Sequence, residues 1–232
     1  MPKGLFKNIF VLLLANLLIK PLWIFGVDLK VQNILGAEEY GLYFVVFNFS
    51  FLFHILLDLG INQFHNRELA QNPSLLESHF GKLFVLKLLF SFAYFVITFL
   101  LALSFSYSPE KMQLLFFLAL QQVLHSFILF SRSNFTALQW YAWDAFFSVF
   151  DRCLSILFCL VLLYSNFFGE FKLLYFIYAQ SLALALGAIG SVLVVVFKGK
   201  LRWPSLNFDG ILPLIKLALP FALISFIDDH LY

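Results

Sequence analysis

Lys20 stands in an otherwise apolar stretch, with Asn16 one helical turn before it and Pro21 directly after it. A charged side chain at the centre of a membrane helix costs on the order of 2.5–3.5 kcal/mol, so an intramembrane cation is by default a functional candidate. Pro21 cannot donate to the carbonyl of Leu17 and is expected to act as a hinge. The cation is expected either to line a polar cavity or to snorkel to a lipid phosphate. A second group joins Gln121, Gln122 and His125 within little more than one turn. Their amides suit hydroxyl-rich ligands or contacts between helices, and the imidazole suits proton exchange. The third group is the least apolar run of the chain, "LLDLGINQFHNRELAQNP" from Leu56 to Pro73. If one helix continues past Gly60, four-residue spacing puts Asp58, Asn62 and Asn66 on one face. Arg67, Arg132 and Arg152 complete the set. The planar guanidinium forks of Arg67 and Arg152 fit phosphate, and carboxylates at Asp58, Glu68 and Asp151 offer them ion pairs instead, as a gate. Arg132 is expected to anchor to anionic lipid.

These groups are set in a chain that is 62% hydrophobic and 12% charged, with a mean hydropathy of +0.92. Soluble domains average about 45–50% apolar and 25% charged residues. One core cannot hide this much apolar surface, so the solvent is lipid. No strict polar/apolar alternation supports a β-barrel, and helices remain as the way to satisfy the backbone. The fold class is therefore all-α, a polytopic transmembrane helix bundle. Candidate spans of about 20 residues are Ile9–Val27, Tyr40–Leu59, Leu83–Phe105, Leu114–Phe130, Phe146–Tyr164 and Leu173–Phe197, with a seventh opening at Ile211. Residues 1–203 form a six-span unit, and residues 204–232 a linker and an incomplete seventh span ending near Asp228, Asp229 and His230. That ending suggests the first part of a longer protein. Cys153 and Cys159 read as small buried hydrophobes without a disulfide. A net charge of +2 gives no reason to expect nucleic acid, and no spacing calls for a metal or cofactor.

Orientation follows from Lys and Arg in the loops. With the N-terminus in the cytoplasm, Lys3, Lys7, Arg67, Lys82, Arg132, Arg152, Lys198, Lys200 and Arg202 fall on that side. Lys30, Lys111 and Lys172 fall opposite, beside Glu38, Glu39, Glu110 and Glu170.

The stretch from Gly36 to Pro73, with Gly36, Tyr40, Gly41 and Tyr43 before a span and Asp58, Gly60, Arg67 and Ala70 after it, resembles bacterial Wzx-like polysaccharide flippases of the MOP superfamily. Gln139–Phe158 and Leu212–Asp229 resemble the fourth-to-fifth connection and the seventh-helix opening of that family. The resemblance implies the N-terminal lobe of a two-lobed transporter in the bacterial inner membrane. Its cargo would be a lipid-linked oligosaccharide on an undecaprenyl pyrophosphate carrier, moved by alternating access through a hydrated, cation-lined cavity. Lys20, Asn16, Gln122, His125, Arg67 and Arg152 are then the candidates for the cavity or headgroup, and Asp58, Asn62, Asn66, Arg67 and Asp151 for the cytoplasmic elbow and gate. Membrane lipids and a second lobe are the implied partners. An exporter of another small molecule or lipid, or a non-transporting remnant, is the alternative. A membrane-embedded glycosyltransferase or polymerase fits poorly, because the loops are short and no nucleophile–base pair or phosphate cradle appears.

Overall fold

The computed structural model describes residues 17–164, 171–201 and 218–221. Every regular element among them is helical. The helix from Leu17 passes through a π-helical turn at Ile24–Asp28 into α1 (Leu29–Leu52), and a 3₁₀ turn at His54–Leu57 leads to α2 (Ile61–Gln71). Then come α3 (Leu75–Ser104), α4 (Pro109–Ala137), α5 (Tyr141–Phe147), α6 (Phe150–Tyr164) and α7 (Leu173–Lys198).

Two glycines set the first turns. Gly36, inside α1, has φ 79° and ψ 172°, which interrupts the helix. A continuous helix would separate Asp28 and Tyr40 by about 18 Å along its axis. The Tyr40 hydroxyl instead donates to Asp28 Oδ1 at 2.8 Å, so the chain folds back at Gly36 into a helical hairpin. Gly60 has φ 82°, directly after Leu59 at φ 44°, and ends the second helical run. The condition of one helix running past Gly60 is therefore not met. Glycine takes the left-handed conformation at no steric cost, and α2 starts afresh behind it. Asp58 still meets Asn62 because its carboxylate accepts the Asn62 backbone N–H, at 3.3 and 3.4 Å to its two oxygens. That carboxylate satisfies an orphan donor of the new helix.

Helices α3, α4 and α7 close without a left-handed glycine. Ser106, Gln139 and Lys200 take positive φ. In each case the next residue's N–H donates five residues back, Tyr107 to Ala102, Trp140 to Phe135 and Leu201 to Val196. This is the Schellman closure, with a non-glycine residue in the left-handed position.

Among the described residues, four helical stretches are long and apolar enough to cross a membrane: Leu75–Ser104, Pro109–Ala137, Tyr141–Tyr164 and Leu173–Lys198. A fifth is added if the bent pair Leu17–Leu52 and His54–Gln71, at 47°, counts as one span. This is fewer than the six expected, and the difference lies at the start of the chain. The expected first span begins outside the described residues, and its described part joins the second without a loop. The polar segment after Pro73 is helical, so α3 begins eight residues before its expected span. Most of residues 204–232 also lie outside the described set.

Helix α4 is the centre of the bundle. It packs on α1, α2, α3, α5 and α7. In its most apolar window 61% of the residues are buried, against 17% for Tyr141–Tyr164, which therefore forms the periphery. Phe64, Phe80, Phe130, Phe135, Phe147 and Val195 pack at the end that carries the α2 elbow. Val31, Tyr43, Leu115, Cys159 and Phe176 pack at the end that carries the Gly36 hairpin. Among the described residues, Cys159 is buried as expected, whereas Cys153 is exposed, on the outer side of the peripheral helix α6.

Candidate functional site: two polar cavities

Two polar cavities lie inside this apolar bundle. The elbow cavity, about 270 Å³, is lined by Asp58, Asn62, Asn66, Arg132, Thr136 and Asp144 among others, with His54 and Ser126 at its inner end. The hairpin cavity, about 300 Å³, lies between the first helical hairpin, α4, α6 and α7. Its polar lining comes from Asp28, Gln121, Gln122, His125, Asp151, Arg152 and Gln180, and its aromatic wall from Trp23, Tyr40, Tyr43 and Phe47 with their neighbours. The two meet at mid-bundle, where the His54 and His125 rings stand 6.2 Å apart, each lining its own cavity.

Most polar groups of the elbow cavity bond to the protein, although Asn62 Oδ1 is buried with no hydrogen bond among the described residues. Lys87, only 1% exposed, points its ammonium at three acceptors: Asp58 Oδ1 at 2.9 Å, the Leu57 carbonyl at 3.0 Å and Ser126 Oγ at 2.9 Å. An ammonium has three donors, so each one is used. Asp58 thus joins the chain break at Gly60, α3 and α4 in one network. Asn66 donates to the Ser133 carbonyl at 2.9 Å and to Thr136 Oγ1 at 2.6 Å, tying α2 to α4. His65 meets Asn134 at 2.9 Å on the same seam. Arg132 donates to Asp144 at 2.7 Å, which fastens α4 to α5.

The hairpin cavity is built differently. Along α1 and into the 3₁₀ turn after it, the rings of Tyr40, Tyr43, Phe47, Phe51 and His54 succeed one another at centroid separations of 5.5, 6.0, 6.2 and 5.7 Å. The three- and four-residue spacing keeps them on one helix face, and that face runs from this cavity to the inner end of the other. Opposite it, Gln121 donates to the Ile177 carbonyl and to Ser181 Oγ, both at 3.1 Å, and stitches α4 to α7. The Gln180 side chain stands in the wall against the Tyr43 hydroxyl. Gly187 lets the helices close up behind it: a Cβ there would stand 3.0 Å from Ile128 Cδ1 and 3.5 Å from Asp151 Cβ.

The sequence of the chain matches a family. A profile of the polysaccharide biosynthesis protein family covers residues 5–228. The chain belongs to that family. Comparison with curated proteins and with solved structures finds no match.

In this polysaccharide biosynthesis protein, the residues singled out from sequence fall into three sets. Gln122, His125 and Arg152 share the hairpin cavity. Asp58, Asn62 and Asn66 share the elbow cavity despite the helix break. Lys20 and Arg67 are exposed and line neither; the Arg67 guanidinium lies 5.9 Å over the Phe221 ring. Asn16 lies outside the described residues. Pro21 sits within helix, and the distortion comes just after it, in the π-helical turn. Asp151 and Arg152, expected at the cytoplasmic elbow, stand instead in the hairpin cavity. Asp151 is ten residues into the Tyr141–Tyr164 span, about 15 Å along it, and the Arg152 guanidinium lies 5.8 Å over the Trp23 ring. Arg132, expected to face lipid headgroups, pairs with Asp144. Every cation in the two linings has a carboxylate in the same lining, so neither is cation-lined.

Lys87, Trp23, Asp28 and Gln180 were missed. For Lys87 the signal was plain, a lone cation in the third span with Asp58 as a counter-charge. Trp23, Tyr43 and Phe47 were hidden among 33 Phe, 9 Tyr and 4 Trp residues, because ring count says nothing about which rings face a cavity.

Proposed function

We propose that this chain is a lobe of a lipid-linked oligosaccharide flippase in the bacterial inner membrane. The observation that carries the reading is the pair of polar cavities meeting head to tail inside an apolar bundle of a polysaccharide biosynthesis protein. Such a protein has no bond to break. It must give a hydroxyl-rich sugar a polar surface across a region where unpaired polar groups cost several kcal/mol each. The hairpin cavity offers amides and aromatic faces for this, and the elbow cavity leads toward the opposite end.

In this reading the elbow end is cytoplasmic. Arg67, Lys82, Lys198 and Lys200 gather there, whereas Lys30, Lys111 and Lys172 stand at the hairpin end with Glu38, Glu39 and Glu110, which follows the excess of cations on cytoplasmic loops. With the two arms of the Gly36 hairpin taken as the first two, six spans would return the chain to its starting side, so a second lobe of the same topology would insert in the same orientation, as a parallel repeat. The carrier is an undecaprenyl pyrophosphate lipid. Its chain stays in the bilayer while the sugar passes through the protein.

The test is complementation in a set of bacterial strains that lack their own flippase and build different sugar units. The chain is expressed alone and together with a second lobe. Surface polysaccharide is expected to return in at least one strain when both lobes are present. Absence of surface polysaccharide in every strain, with the protein shown to be in the membrane, would refute the assignment.

A further inference from the structure

We propose that the oxygen cluster around Lys87 is a binding site for a monovalent alkali cation, and that the Lys87 ammonium is the tethered cation that fills it. The starting observation is the ligand set. Lys87 Nζ stands 2.9 Å from Asp58 Oδ1, 3.0 Å from the Leu57 carbonyl oxygen and 2.9 Å from Ser126 Oγ. Carboxylate, carbonyl and hydroxyl oxygens are what a hard metal cation takes as ligands. Each of the three presents a lone pair, which serves a sodium ion as it serves an ammonium.

The chain break builds this set. The 3₁₀ turn ends at Leu57, and the left-handed pair Leu59 and Gly60 lets α2 start afresh. The Leu57 carbonyl is thereby an end-of-helix acceptor. It takes Lys87 Nζ and, at 3.4 Å, the Ser126 hydroxyl. In discontinuous membrane helices, unwound carbonyls and half-helix C-terminal ends are the groups that hold small cations. Lys87 reaches this place from the facing helix. It lies about 18 Å along α3 from Leu75 and is 1% exposed.

Charge and room decide which cation. The carboxylate bonded to Lys87 Nζ is that of Asp58, so the site balances one positive charge. A divalent ion would leave one charge uncompensated inside an apolar bundle. An ammonium spends its three donors on three acceptors, whereas a metal cation takes more oxygens. A fourth is at hand: Asn62 Oδ1 is buried, makes no hydrogen bond among the described residues, and lines the elbow cavity together with Asp58 and Ser126. That cavity gives a free cation its route to the oxygens once the tether is gone. With the tether in place the effective concentration of the cation is high, so an ion gradient does not empty the site, and the joint between α3, α4 and the chain break stays closed. The inference stands on this cluster alone and holds for any cargo.

The experiment removes the tether and offers the ion. The full chain and its Lys87→Ala variant are unfolded by heat in detergent, with sodium chloride exchanged for choline chloride at constant total salt. Sodium is expected to raise the unfolding midpoint of Lys87→Ala by roughly 3–6 °C, the shift that a tenfold excess over the dissociation constant gives a chain of this size. Ammonium chloride, the lysine head group without its stem, is expected to do the same. The unaltered chain should unfold at one midpoint in all three salts, because its site is already filled. Lys87→Ala with Asp58→Asn should lose the response. Lys87→Ser, which adds a hydroxyl oxygen to the cluster, is the second variant if Lys87→Ala does not insert. Equal midpoints in sodium and choline for the variant, a sodium shift of the same size in the unaltered chain, or a shift that survives Asp58→Asn would each overturn the proposal. Failure of both single variants to reach the membrane would overturn it too, since the cell supplies potassium and sodium to fill the site. These readouts are unfolding midpoints and membrane insertion, so they stand or fall apart from the surface polysaccharide that judges the flippase reading.

Discussion

The two cavities use the same residue types to opposite ends. Around the elbow cavity Lys87, Asp58, Ser126, Asn66, Thr136, Arg132 and Asp144 bond to one another. These groups hold helices together across a chain break. Around the hairpin cavity Gln121 and Asp28 also bond to the protein, but the amides of Gln122 and Gln180 face a wall of rings. A polar residue in a span is therefore not by itself evidence of a ligand. What separates a structural network from a binding surface is whether the protein has already supplied the partners.

The largest effect tests the structural side. Breaking a buried pair by removing one partner costs about 3–5 kcal/mol, whereas replacing both with apolar groups is often close to neutral. Lys87→Met is expected to lose stability in that range, read as unfolding in detergent or as loss of protein from the membrane. Lys87→Met with Asp58→Leu is expected to recover part of the loss; Asp58 also caps α2, so recovery should be incomplete. A single variant as stable as the parent would dissolve the contrast between the cavities. Next in size, Asn66→Ala removes two bonds between α2 and α4 and is expected to cost about 1–3 kcal/mol, measured in the same assay.

Gln180→Leu is the converse case. It removes one amide from the cavity wall together with its contact to the Tyr43 hydroxyl, so stability is expected to fall by only about 0.5–1.5 kcal/mol, while sugar export falls severalfold. The smallest effect belongs to Lys20→Ala. That side chain is exposed and in neither cavity, so stability is expected to stay within about 0.5 kcal/mol of the parent, as checked by detergent unfolding.

Much of the architecture was legible in the sequence because lipid is a demanding solvent. Long apolar runs without alternation left only helices, and the turn signals after Phe105 and Phe197 fell where the helices end. The first hairpin was harder. The "GAEEYG" run marked a break, yet a single residue, Gly36, makes the reversal, so no polar loop separates the arms. The second break stayed open because four-residue spacing around Asp58, Asn62 and Asn66 fits a continuous helix as well as a capped restart. Of the site, Gln122, His125 and Arg152 were found because amides and charges are rare in such a chain. Their depth was not, since Asp151 and Arg152 follow the short α5, and a helix that starts early carries them into the bundle. Lys87 shows the opposite failure: its charge was visible, but a counter-charge 29 residues away is paired only by the fold.

The central claim is that the hairpin cavity meets the sugar and the elbow cavity holds the lobe. Its most direct test is surface polysaccharide exported per membrane-inserted molecule, compared between Gln180→Leu and Asn66→Ala in a rescued strain. Gln180→Leu should lower export per molecule at parental abundance, and Asn66→Ala should lower abundance at parental export per molecule. The reverse pattern, or parental export per molecule in both, would contradict it.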